Sequence, residues 1–172
     1  MASANDEPER HEEIGRGGFG IVYRGKYKEH KQVAIKVLNI SNSKEVQNEI
    51  RLLQTLKHRN IIYLIDALVR PSQTLIITEY IRHGNLHDYI VERAHHWRPY
   101  WIKIRKIITG VTAGLIYLRD SKIVHGDLKS MNILLRDGDE GVICDFGLAR
   151  TISISQSLHT SKVAGISSKY FF

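Results

Sequence analysis

Four glycines within six residues, Gly15-Arg16-Gly17-Gly18-Phe19-Gly20, constrain this chain more than any other feature. Glycine at that density lets backbone N–H groups approach phosphate oxygens with no Cβ in the way. The residues just after the glycines narrow the fold. Ile21 to Tyr27 continues as a strand pattern, whereas a dinucleotide-binding turn must open a helix. No Lys-Ser or Lys-Thr comes after Gly20, which excludes a Walker A loop. A glycine-rich hairpin turn without a ligand stays open at this point.

The rest of the chain divides by hydrophobic period. Short β-branched and aromatic runs at Ile21–Tyr27 and Gln32–Leu38 predict antiparallel strands. A period near 3.6 then sets Val46, Ile50, Leu53 and Leu56 on one face of a helix over 43–57, with Asn42 and Glu45 as a variant capping box. Asn60–Leu68 and Thr74–Ile81 read as further strands, and Gly84-Asn85 punctuates before a short helix at Leu86–Arg93. A longer helix is predicted over Tyr100–Arg119, its stripe formed by Ile104, Ile108, Val111, Leu115 and Leu118. Short strands come next at Ile123-Val124, Ile133–Leu135 and Val142–Cys144. Thr151–Lys169, rich in Ser and Thr and without an acidic residue, reads as a long surface loop. The order is strands with one helix, then mostly helix, which predicts two lobes joined near Glu79–Gly84. Residues 1–13, dominated by Asp6, Glu7, Glu9, Glu12 and Glu13, read as a polar, mobile lead-in.

Composition excludes several function classes. A chain of 172 residues with 42% hydrophobic and 25% charged side chains is globular rather than disordered. The net charge of +7 is scattered. Its densest stretch, Arg93–Lys106, lacks any zinc-finger, homeodomain or RRM pattern, so no nucleic-acid partner is expected. A solvated helix face and a patch for an acidic partner both remain open there. Cys144 is the single cysteine, which rules out an intramolecular disulfide and favours a reducing compartment. The start carries no signal-peptide pattern, Ala2 stands where myristoylation needs glycine, and no run approaches a membrane span. A soluble protein with no membrane partner is expected, cytoplasmic or nuclear.

The chemistry is carried by an ordered set of residues. Val33-Ala34-Ile35-Lys36 places one lysine in an apolar strand that an antiparallel ribbon can fold beneath the glycine turn. Glu49 lies beside the apolar stripe of the next helix, and a carboxylate there would fix the lysine's position and charge. Then come His125-Gly126-Asp127-Leu128-Lys129-Ser130-Met131-Asn132 and Asp145-Phe146-Gly147. Phosphoryl transfer needs a carboxylate near the attacking hydroxyl, oxygen ligands for a metal ion, and cations over the phosphates. Asp127 suits the first role, Asn132 and Asp145 the second for Mg²⁺, and Lys129 and Lys36 the third.

In this order the motifs resemble the protein kinase family, over roughly Ile14 to the C-terminus. The resemblance implies an α+β, two-lobe, protein-kinase-like fold: a β-rich small lobe at 14–79, a hinge near 79–84 and a partial, helical large lobe at 85–172. It also implies ATP and Mg²⁺ as cofactors and a protein substrate bearing Ser or Thr. Ile14, Gly15, Gly17, Gly18, Phe19, Gly20 and Val22 would cover the nucleotide. Ala34 and Leu134 would pack on adenine, and Lys36 would reach the phosphates while paired with Glu49. Thr78 resembles the gatekeeper, and the backbone from Glu79 to Ile81 the hinge that reads adenine. Leu53, Leu64, His125 and Phe146 match the family's regulatory spine. Lys129, two residues after Asp127, resembles Ser/Thr kinases, and the loop as a whole the tyrosine-kinase-like branch of them.

Three features depart from the family pattern. Gly126 stands where most members carry an arginine, so pairing with a phosphorylated loop through that position is not expected. Ile166 or, one register on, Ser167 takes the place of a loop threonine. The sequence ends at Tyr170-Phe171-Phe172, before any Ala-Pro-Glu. Were two to four apolar side chains of the 100–119 helix left uncovered, at about 1.5–3 kcal/mol each, the loss would be roughly 3–12 kcal/mol. That is comparable with a whole domain's stability of about 5–15 kcal/mol. The expectation is a kinase domain that is inactive or marginal by itself, or that needs a partner over this surface. A non-catalytic ATP-binding or scaffold module is the alternative reading. Cys144 is expected as a small buried side chain, with a thiol facing the nucleotide pocket as the other option.

Overall fold

The computed structural model describes residues 7–17, 20–39, 43–93 and 101–152. Five antiparallel strands form the first sheet: β1 (Glu9–Gly17), β2 (Gly20–Tyr27), β3 (His30–Leu38), β4 (Leu64–Val69) and β5 (Thr74–Glu79), in the order β1-β2-β3-β5-β4. Alternation decides what each face does. On β3, Val33, Ile35 and Val37 join Tyr27, Leu75 and Ile77 in one buried cluster. Ala34 and Lys36 therefore point the other way, in register with Thr78 and Ile76 of β5.

Helix α1 (Lys44–Thr55) starts at Ser43, whose Oγ accepts a hydrogen bond from the Val46 N–H at 3.2 Å. The predicted capping residue, Asn42, lies outside the described residues. The apolar side of α1, with Val46, Ile50, Leu52 and Leu53, enters a second core that continues through Ile76 and Ile143 to Phe146 and Leu118. This core runs through both lobes, so burial itself fixes how the first sheet sits over the second half of the chain.

That second half contains α2 (Leu86–Arg93), α3 (Trp101–Asp120), the paired strands β6 (Ile123–Val124) and β9 (Arg150–Thr151), and the hairpin β7 (Ile133–Arg136) with β8 (Glu140–Ile143). A short 3₁₀ turn, Ser130–Asn132, precedes β7.

Four expectations need correction. The polar lead-in does not extend to residue 13: Glu9–Glu13 belong to β1. An edge strand is held by backbone pairing, and its charges are matched across to β2 by Glu12–Arg24 and Glu9–Lys26 ion pairs. The run Asn60–Leu68 is not one strand. Ile61 makes an isolated bridge to Ile143, and the buried Asn60 side chain donates to the Gly141 carbonyl at 2.8 Å before β4 begins at Leu64. The fifth strand ends at Glu79 rather than Ile81.

On α3 the stripe packs at Ile104, Val111, Leu115 and Leu118 and fails at Ile108 alone. Ile107, Gly114 and Leu118 are buried while Ile108 is 57% exposed. The cause is close approach: a Cβ at Gly110 would stand 2.6 Å from Asn60 Nδ2, and one at Gly114 3.0 Å from the Asn60 carbonyl. The two glycines let the packed face, which also carries Ile107 and Leu118, approach Asn60 closely. On the outer side of α3, Trp101 and Ile102 are exposed. The predicted Thr151–Lys169 loop lies outside the described residues from position 153 onward, as do Ile166 and Ser167.

Candidate active site

A cleft of about 470 Å³ separates the first sheet from the loops of the second half. Its roof is β1 and β2, its back wall β3 and β5, and its floor the segments around Asp127, Asn132 and Asp145. The period-2 geometry explains the choice of side chains: Val22, Ala34, Lys36, Ile76 and Thr78 are the positions that the buried outer cluster does not use.

The sequence candidates converge there. Ile14, Gly15, Gly17, Gly20 and Val22 line the roof. Thr78, Glu79, Ile81 and Leu134 line the inner end. Lys36, Glu49, Asp127, Lys129, Asn132 and Asp145 line the polar end. Gly18 and Phe19 lie outside the described residues. Gly20 takes φ +139°, and a Cβ there would collide with the Val37 carbonyl, so the fold itself demands glycine. At Gly17 nothing lies within 4 Å of a built Cβ. Packing therefore does not explain that glycine.

Lys36 sits at the centre. Its Nζ donates to Glu49 Oε1 at 2.8 Å and to Asp145 Oδ1 at 2.9 Å. Burial alone would pull its pKa down, but the charges of Glu49 and Asp145 outweigh this and hold it above the ordinary lysine value. Burial pushes the Glu49 carboxyl up, and the Lys36 ammonium opposes that push. One ammonium thus ties α1 to the Asp145 segment across the cleft.

The catalytic-loop candidates form a second polar group. Asp127 Oδ2 accepts from Lys129 Nζ at 2.8 Å and from Asn132 Nδ2 at 3.0 Å, and the same Nδ2 donates to the Asp127 carbonyl at 2.8 Å. The Lys129 hydrogen bond chiefly holds the Asp127 carboxyl below its ordinary value. The bond also raises Lys129. With its nitrogen engaged this way, Asn132 keeps its amide oxygen as an acceptor. An amide oxygen and the Asp145 carboxylate are hard donors of the kind magnesium prefers, with phosphate and water to complete the shell. Among the described residues no group of three His, Cys, Asp or Glu forms a closed metal cage.

His125 joins the two polar groups from beneath. Its Nε2 lies 2.9 Å from the Cys144 carbonyl, and its Nδ1 accepts from the Asp127 N–H at 3.3 Å. A neutral ring with its proton on Nε2 satisfies both contacts. Burial keeps it neutral by lowering its pKa from the ordinary value. The ring meets Phe146 edge-on at 5.0 Å, and Phe146 is fully buried.

Gly126, between His125 and Asp127, takes φ +85°, where a Cβ would collide with the Leu148 carbonyl. Cys144 lines the cleft, half-buried, with its thiol pushed up to about 12 chiefly by burial. It packs against the core as an unionised small side chain.

Sequence reasoning missed Ile62, Ile76, Asn85 and Met131 on the cleft wall. Only Ile76 carried a readable signal, standing two residues before Thr78 on the same face of one strand.

The model of the protein kinase domain matches residues 9–171. Cysteine-rich receptor-like protein kinase 29 of Arabidopsis thaliana is 34% identical over 174 residues, covering 96% of this chain and 26% of the relative. Cysteine-rich receptor-like protein kinase 28 of the same plant is 37% identical over 173 residues, covering 95% of this chain and 25% of the relative. A G-type lectin S-receptor-like serine/threonine-protein kinase, SD1-1, also of Arabidopsis thaliana, is 36% identical over 159 residues, covering 88% and 20%. The chain spans about a quarter of the length of these curated relatives. Among the described residues no helix is long and apolar enough to cross a membrane. The glycine-roofed cleft, the Lys36–Glu49 pair and the match along nearly the whole sequence have one reading: the chain belongs to the protein kinase family.

Proposed function

We propose that this chain is the catalytic part of a Ser/Thr protein kinase that transfers the γ-phosphoryl group of ATP to a protein hydroxyl. The observation that carries the reading is Lys36, held at once by Glu49 and Asp145 beneath the glycine turns. A fixed ammonium between two carboxylates, under a roof that includes Gly15, Gly17 and Gly20, is suited to phosphate oxygens. The adenine would lie between Ala34 and Leu134, with its edge toward the backbone of Glu79–Ile81 and Thr78 at the back.

Asp127 orients the substrate hydroxyl and receives its proton as the new O–P bond forms and the bond from γ-phosphorus to the bridging oxygen breaks. Its low pKa keeps it an acceptor through the neutral range. Lys129, bonded to the same carboxylate, places a positive charge where the transferred group's charge develops. Asn132 and Asp145 would hold Mg²⁺, which when bound neutralises phosphate charge. In this reading the protein works in a reducing, cytoplasmic setting. The exposed Trp101, Ile102 and Ile108 of α3 support a further polypeptide surface covering that face.

A radiolabelled-ATP transfer assay on this chain and its Asp127→Asn variant, with a general protein substrate, tests the proposal. Transfer by the parent that the variant abolishes, with nucleotide binding kept in both, is the expected result. Binding of ATP with Mg²⁺ but no transfer by the parent would favour a non-catalytic module instead.

A further inference from the structure

We propose that Asn48 is a positioning residue for the transfer reaction, acting through its neighbour Glu49; this rests on the kinase reading above. Asn48 is half-buried on α1, and its Nδ2 donates to the Ala149 carbonyl at 2.8 Å, across 101 positions of sequence. Ala149 is buried, and its own N–H closes a turn on the Phe146 carbonyl at 3.0 Å. The Asn48 bond therefore reaches the short turn, Phe146–Ala149, that directly follows Asp145. At the other end of the same amide, Oδ1 accepts from Arg51 Nη2 at 3.0 Å, which fixes which way the amide faces.

Helix geometry gives this bond its meaning. Consecutive residues of an α-helix project about 100° apart around the axis. Glu49 is anchored on Lys36, and Asn48 on Ala149. The apolar contacts of Val46, Ile50 and Leu53 are non-directional and leave the helix able to roll or slide. Two directional bonds at different angles around the axis remove that freedom. Glu49 Oε2 also stands 3.6 Å from the Cβ position of Gly147, so α1 meets the Asp145–Ala149 turn at both residues. Loss of the Asn48 bond lets α1 roll and lowers the fraction of molecules in which Glu49, Lys36 and Asp145 are joined.

A double-mutant cycle tests this on the full chain. Asn48→Asp keeps the shape and removes the donor; Asn48→Ala removes the side chain. Each should lower kcat by on the order of tenfold, as should Glu49→Gln, yet cost less than about twofold more when added to Glu49→Gln. Hydrogen exchange supplies a readout independent of turnover: both Asn48 variants should speed exchange of α1 amides and of the segment from Asp145 to Arg150. Equal losses in both backgrounds, or unchanged exchange in both segments, would overturn the proposal. Should the parent transfer no phosphate, the kinase reading fails while the exchange result still decides whether Asn48 anchors the helix.

Discussion

Two lysine–carboxylate pairs of the same length sit a few residues from the reacting centre, and they differ in nearly everything else. Lys36–Glu49 and Lys129–Asp127 both measure 2.8 Å. The side chains of the first pair are 17% and 5% exposed, those of the second 49% and 30%. The buried pair has lost most of its water, so each partner depends on the other and on Asp145. The exposed pair keeps its water and contributes little to holding the fold. Distance alone does not rank them; burial makes the first pair part of the framework as well as of the cleft, whereas the second adds little to the framework.

The largest effect should come from the exposed side. Asp127→Asn removes the proton acceptor while preserving the side chain's shape, and kcat should fall about 10²- to 10⁴-fold. The Kd for ATP with Mg²⁺ should stay within about twofold, read by titration. An equal loss of binding would mean that Asp127 belongs with the architectural pair. On the buried side, Lys36→Met strands Glu49 without its counter-charge and should cost about 3–5 kcal/mol by chemical denaturation. Adding Glu49→Leu should recover part of that loss, since a matched apolar pair carries no uncompensated charge. If Lys36→Met left stability unchanged, the contrast between the two pairs would collapse.

Gly126 sharpens the contrast next, because it controls the backbone that presents Asp127. At φ +85° any side chain is strained, and its Cβ would meet the Leu148 carbonyl. Gly126→Ala should cost about 1–3 kcal/mol, measured by thermal unfolding, with Gly126→Arg no better. Here the sequence was legible only in part. The absence of an arginine could be seen; the left-handed backbone that forbids one could not, because φ depends on how Leu148 packs.

The same division runs through the fold. Strands β2, β3 and β5 announced themselves by their β-branched and aromatic runs, β3 by alternation and β5 as a continuous apolar run buried on both faces. Charged β1 did not, because an edge strand is defined by backbone pairing that leaves no hydrophobic trace. The packed face of α3 was misread at Ile108 because Gly110 and Gly114 pack through what they lack. At the site, ordered motifs brought nearly every cleft candidate to one place, yet Asn48 gave no signal apart from standing beside Glu49.

His125 links the two pairs and makes the contrast depend on pH. Its folded pKa is depressed below the unfolded value of 6.5, so the unfolded chain takes up the proton first as the pH falls. The stability that depends on the neutral ring is present above pH 6.5 and is lost below it, down to the folded pKa, by at most about 1.4 kcal/mol per pH unit. His125→Phe keeps an aromatic ring against Phe146 but loses the bond to the Cys144 carbonyl. It should unfold more easily at pH 7.5 and show a flatter decline below pH 6.5 than the parent. An unchanged slope would assign the acid sensitivity to other groups.

The smallest effect on the fold should come from Lys129→Ala, and its smallness is what makes the experiment informative. Lys129 is exposed and its pKa is raised by the Asp127 hydrogen bond, so solvent can replace that bond when the side chain is removed. The melting midpoint should therefore not move. Turnover should still fall, on the order of 10²-fold, because water does not supply a fixed positive charge where the transferred group becomes more negative. Asp127, deprived of its main stabilising partner, should titrate higher than in the parent, so the acid limb of the pH–rate profile should move upward. A variant that lost melting temperature and turnover together would show that the exposed pair, like the buried one, is part of the framework.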